Sequence, residues 1–133
     1  MNIGQAAELS GVTAKTIRYY DSIGLIAAAP RTDGGYRSYG DNDVAFLSFI
    51  HRARGLGFSV ADVNGLLELY HDKNRASADV KALASRHVEA IDHKIAELQT
   101  IRSTLGHLIE KCHGDDRPDC PILDDLAGFG LRG

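Results

Sequence analysis

The sequence predicts a mainly α protein: a winged helix-turn-helix head, then a long helix suited to an antiparallel coiled coil, then a C-terminal loop with a short helix. Three observations carry this. Two short apolar-patterned segments meet at a turn containing Gly11, and a hairpin signal, Asp33-Gly34-Gly35, follows directly. Beyond residue 76, one apolar stripe runs from Val80 to Leu108, eight steps over 28 residues, at a mean spacing of 3.5.

The first helix starts at Ile3, buries Ile3, Ala6 and Ala7, and stops at Gly11. Thr13 offers an N-cap for a second helix from Ala14 to about Ser22, ended by Gly24. Ile17 faces inward, while Lys15, Arg18, Tyr19 and Tyr20 are left to face outward. A two-armed hairpin around Asp33-Gly34-Gly35 makes the wing; along its second arm Tyr36 and Ser38 share one face, and Arg37 and Tyr39 the other. Asp41 or Asp43 can cap a third helix to about Arg54, with Val44, Leu47, Phe49 and Ile50 as its stripe, broken by Gly55 and Gly57. Ser59, three residues before Asp62, opens a fourth helix from Val60 to Tyr70 that buries Val63, Leu66, Leu67 and Tyr70.

The long helix then runs from Ser77 to about Lys111, with no proline or glycine before Gly106. At 1.5 Å per residue it is roughly 50 Å long, too long to bury its stripe against its own small head. A second copy of the chain is the expected partner. The division is therefore residues 1–75 for the head, 76–111 for the dimerisation helix, and 112–133 for the loop and a short helix around Ile122 to Leu126.

Composition narrows the classes. The 133 residues, 44% apolar and 25% charged, exclude a large multidomain enzyme, and no apolar run reaches the roughly 18 residues of a membrane span. The start lacks the pattern of a signal peptide, so a cytoplasmic location is expected. Net charge is -3, but residues 1–75 hold 8 basic and 8 acidic side chains while 76–133 hold 7 and 10, so the whole acidic excess lies in the second half. In the first forty residues Lys15, Arg18, Arg31 and Arg37 interleave with Tyr19, Tyr20, Tyr36 and Tyr39. Cations on a helix-turn-helix and wing point to double-stranded DNA, the helix reading base edges and the wing holding phosphates. Taken singly, each is equally a solvated charge or a core ring. No nucleophile-base arrangement and no phosphate-cradling loop argues for an enzyme.

Cys112 and Cys120 bracket seven residues. A closed zinc site wants four ligands, and a Cys-x-x-Cys redox motif is absent. Two thiolates suit a soft monovalent ion such as Cu(I), whose charge offsets their mutual repulsion. The same spacing fits an occasional strained disulfide or two inert loop thiols. His113 is a further candidate ligand or a solvated loop side chain, and Asp115, Asp116, Asp119, Asp124 and Asp125 read as solvated or capping residues.

The segments Thr13 to Ile26, Arg31 to Tyr39 and Arg54-Gly55-Leu56-Gly57-Phe58 resemble the MerR family of transcriptional regulators over the whole chain. Ser77-Ala78-Asp79-Val80-Lys81 and the Cys112 and Cys120 segments are similar to its copper-responsive branch. The resemblance implies a homodimer on promoter DNA that bends and untwists an overlong spacer when metal binds, so that RNA polymerase engages both promoter elements. It places Lys15, Arg18, Tyr20, Arg31, Tyr36, Arg37 and Arg54 at DNA-contacting positions, and Cys112 and Cys120 at the metal. Members sensing divalent ions carry a cysteine from the partner's long helix where this chain has Ser77, which favours Cu(I), Ag(I) or Au(I). Ser77 and Lys81 are then expected to enclose the site. The alternatives are a regulator sensing Zn(II) or thiol oxidation, and a coiled-coil interaction protein with no regulatory output.

Overall fold

The computed structural model describes residues 1–27 and 34–128. Six helices follow in order: α1 (Ile3–Ser10), α2 (Ala14–Ser22), α3 (Asp41–Gly55), α4 (Val60–His71), α5 (Ser77–Lys111) and α6 (Pro121–Ala127). They form two compact units, Met1–Leu83 and Ala84–Gly133. The first of these is the head.

Each short helix of the head is fixed at its N-terminus by a side chain. Asn2 and Gln5 make a reciprocal box at α1: Asn2 Oδ1 accepts from the Gln5 N–H at 2.8 Å, and Gln5 Oε1 accepts from the Asn2 N–H at 3.0 Å. The α1–α2 turn needs glycine twice over. Gly11 has φ +80°, and a Cβ there would sit 3.3 Å from the His51 ring. Thr13 caps α2 by accepting from the Thr16 N–H at 3.2 Å, as its position in the sequence predicts. For α3, neither expected aspartate is the N-cap: Gly40 is, and Asp43 reaches back to accept from the Gly40 N–H at 2.8 Å. Ser59 caps α4 through the Asp62 N–H at 3.1 Å.

These caps orient one shared core. Ile17 from α2, Leu47 and Ile50 from α3, and Val63 from α4 are completely buried, each burial contributing about 1.5–3 kcal/mol relative to exposure. The wing's second arm joins this core through Tyr39. Its N–H donates to the Met1 carbonyl at 2.7 Å, and the Met1 amine donates to the Tyr39 carbonyl at the same distance. Arg37 makes a single β-bridge in this arm. The first arm, including Arg31, lies outside the described residues.

Two expected orientations are corrected. Tyr20, read as outward-facing, is only 7% exposed and fills the core beside Ile17 and Leu25. It lies three residues after Ile17, nearly one turn on, so it shares the buried face. Tyr70, read as a buried residue of α4, is 56% exposed; its ring rests 5.5 Å from that of Phe49. The α4 stripe therefore ends at Leu67 rather than running a further turn.

The long helix keeps the predicted bounds, Ser77–Lys111, and buries none of its residues. Val88, Ile91, Ile95, Leu98, Ile101 and Leu105 of its stripe remain 40–55% exposed. After the loop, Pro121 takes the first position of α6, where its missing N–H costs nothing. Leu123 and Leu126 of α6 are exposed.

Candidate nucleic-acid interface and thiol loop

The head brings three of the expected DNA-contacting residues together. Arg18 from α2 and Tyr36 and Arg37 from the wing line one open groove of about 780 Å³, along with Asp21, Ser22 and Tyr39. The local folding explains this. Arg18 follows the buried Ile17 and so projects from α2, while Tyr39 anchors the wing arm in the core and leaves Tyr36 at 77% exposure. Lys15 is exposed one turn earlier on α2 but is not part of the groove lining.

Arg54 is placed differently. Its Nη1 donates to the Phe58 carbonyl at 2.6 Å, so it closes the turn between α3 and α4. A guanidinium has five donors, and this bond uses one. Tyr20 supports the α2 surface from beneath, as a core ring.

The residue that the sequence reading passed over is Asp21. Its Oδ2 lies 3.4 Å from Arg37 Nε, and the pair joins α2 to the wing. Burial and the Asp21 carboxylate push the Tyr39 phenol above its ordinary 10.0, against a downward pull from Arg37 and Arg18. The signal was present in the sequence: Asp21 is a lone acid, three residues after Arg18, in an otherwise cationic and aromatic segment.

The second candidate site begins where α5 ends. Cys112 donates its N–H to the Ile109 carbonyl at 3.1 Å, and the chain then reverses at Gly114, φ +64°. Asp115 clips the loop: it accepts from the Arg117 N–H at 3.0 Å, and its Oδ2 meets Nε and Nη2 of Arg117 at 2.8 Å each. Cys120 precedes α6, and its carbonyl accepts from the Asp124 N–H at 3.0 Å. Both cysteines are half-buried free thiols. His113 is exposed, and among the described residues no three His, Cys, Asp or Glu side chains group as a metal site. Ser77 and Lys81 are exposed in the opening turns of α5, at the other end of that helix from Cys112.

A cationic groove on a capped helix-turn-helix, continued by a long helix with an exposed apolar stripe, defines a DNA-binding regulator and not an enzyme. The chain belongs to the MerR family: residues 2–39 match the MerR family regulatory protein model, and residues 44–108 match the model described as MerR, DNA binding. It is 56% identical to heavy metal-dependent transcription regulator 2 of Rhizobium meliloti over 96% of this chain and 86% of that protein. It is 41% identical to the HTH-type transcriptional regulator CueR of Salmonella typhimurium, over 96% and 93%. Among solved structures, the transcription regulator PbrR691 from Ralstonia metallidurans CH34, in complex with lead(II), superposes with a TM-score of 0.82 at 28% identity, over 96% of this chain and 99% of that one. No helix among the described residues is long and apolar enough to cross a membrane.

Proposed function

We propose that this regulator binds promoter DNA as a homodimer and activates copper efflux or detoxification genes when Cu(I), or its congeners Ag(I) and Au(I), binds at Cys112 and Cys120. The donor set carries the reading: two free thiols bracket one clipped loop. Soft sulfur ligands in so small a number suit a monovalent ion that accepts low coordination. The Asp115 carboxylate is already matched by Arg117, and a soft monovalent ion prefers the thiols to the hard carboxylates of Asp116 and Asp119 that share the loop. The names of the relatives, one heavy metal-dependent and one CueR, support the same class of signal.

In this reading the residues divide their roles as 1–75 for DNA, 76–111 for pairing with a second copy, and 112–133 for the metal. Lys15, Arg18, Tyr36 and Arg37 hold phosphates and bases, with Arg31 on the wing, Arg54 at the α3 end and Tyr20 beneath the surface. The stripe on α5 pairs antiparallel with that of a second copy, which brings a Ser77 and a Lys81 toward each metal loop, where the ammonium neutralises the anionic bis-thiolate. Metal need not tighten DNA binding. It must bind the DNA-distorting conformer better than the resting one, since equal affinity for both shifts nothing. The distortion, about 1–10 kcal/mol, makes the promoter fit RNA polymerase.

Transcription in vitro from the regulated promoter, with buffered Cu(I), Ag(I), Au(I), Zn(II) and Hg(II), tests the assignment. The monovalent ions should activate, and Cys112→Ser or Cys120→Ser should abolish activation while a DNA footprint persists. Activation by Zn(II) at lower free concentration than Cu(I) overturns the metal, and an absent footprint overturns the regulator.

A further inference from the structure

We infer that Asp21 is a specificity-determining residue of the DNA surface, fixing the pose of Arg37 and weakening the groove's hold on duplexes that do not fit. The inference rests on the proposed placement of DNA across α2 and the wing. A carboxylate facing phosphates is unfavourable, so a surface built for affinity alone would not carry one. Helix stability does not account for it either. Asp21 lies in the last turn of α2, where the macrodipole disfavours an anion. Nor is it a loose surface charge: its side chain is 13% exposed and lies close enough to the buried Tyr39 to raise that phenol's pKa.

What the carboxylate does meet is Arg37, through Nε at 3.4 Å. Contact at Nε tethers the inner edge of the guanidinium to α2, so Asp21 acts as a positioning residue for Arg37. Asp21 and Arg18 are three apart on one helix and therefore neighbours on its surface, and both line the groove with Arg37. The groove thus holds two guanidinium groups with a carboxylate among them.

That arrangement affects two kinds of duplex differently. An unrelated sequence is held by phosphate attraction summed over the cationic surface, and Asp21 subtracts a charge from that sum. In the matching sequence the seating of α2 in the major groove fixes where the phosphates lie. An Arg37 already tethered beside α2 meets its phosphate with less ordering cost, which offsets the repulsion. The difference between the two is specificity gained by penalising the wrong partner.

The full-length chain and its Asp21→Asn and Asp21→Glu variants would be titrated with two duplexes of equal length across a salt series. One bears the site that the protein protects in the regulated promoter, and the other is a scramble of the same composition. Asp21→Asn should bind the scramble about five- to tenfold tighter near 0.1 M salt, with a log–log salt slope steeper by about one per head, or about two for the dimer. Its preference for the promoter duplex should fall by about fivefold or more. Asp21→Glu should restore the wild-type preference, and melting temperatures should agree among the three. An unchanged preference in Asp21→Asn, whether both affinities hold or both fall, overturns the inference. Arg37→Ala separates the two levels of the argument. Weaker promoter binding supports the surface on which Asp21 acts, whereas wild-type binding overturns the surface itself and the inference with it.

Discussion

The two units of the chain solve the burial problem in opposite ways. Met1–Leu83 holds every buried side chain among the described residues, and Ala84–Gly133 holds none, although its stretch of α5 carries an apolar residue every three or four positions. The head closes a core from four short helices and one wing arm. The other unit displays its apolar surface along a line, and a line can be buried only by something equally long. Stability is internal to the first unit, and in the second the proposed pairing with another copy would supply it.

This contrast can be broken most severely on α5. Ile95→Asp with Leu98→Asp should convert the proposed homodimer to monomer in sedimentation equilibrium at micromolar concentration while the head keeps its melting transition. A persistent dimer would show that the stripe is not the interface. Next in size, Leu47→Ala leaves a cavity at a completely buried site and should destabilise the head by about 2–5 kcal/mol in urea titration. The same truncation at exposed Leu98 should cost the isolated fold little and act through dimer affinity. The smallest effect concerns alkaline pH. The folded phenol of Tyr39 titrates above its ordinary 10.0, so the head binds its proton more tightly than the unfolded chain does. Stability from this group is fully present below pH 10 and is lost as pH rises through the raised value. The wild-type urea midpoint should therefore fall relative to that of Tyr39→Phe as pH rises over that window, and a constant difference would remove Tyr39 as the source.

The same contrast explains which parts of the molecule were legible in the sequence. Helix bounds in α1, α2 and α5 followed from Gly11, Thr13 and an unbroken run of helix-compatible residues, all of which are local signals. The Asn2–Gln5 box and the role of Gly40 were not read because capping is settled by which donor ends up unpaired, and several nearby residues could have served. Tyr20 and Tyr70 are ambiguous in the sequence for a related reason. A tyrosine has an apolar ring and a polar tip, so sequence pattern alone does not tell core from surface, and the Tyr39 anchor that helps to enclose the core comes from a separate segment. Of the candidate sites, the Cys112 and Cys120 pair stood out because cysteines are few. Asp21 did not, because the partner that gives this lone acid its role is sixteen residues away.

The spacing of the α5 stripe has a geometric consequence for any second copy. Seven residues of a straight α-helix fall short of two full turns by about 20°, so a stripe repeating every seven residues drifts around the cylinder. From Val80 to Leu108 there are 28 residues, or four such repeats, which amounts to about 80° of drift. The apolar line at the start of α5 therefore points nearly a quarter-turn away from the line at its end. A straight rod laid beside it would meet the stripe along only part of its length, whereas two helices wound left-handedly about each other would stay on it throughout. The repeat length thus prescribes the rotation that each helix must make about the other.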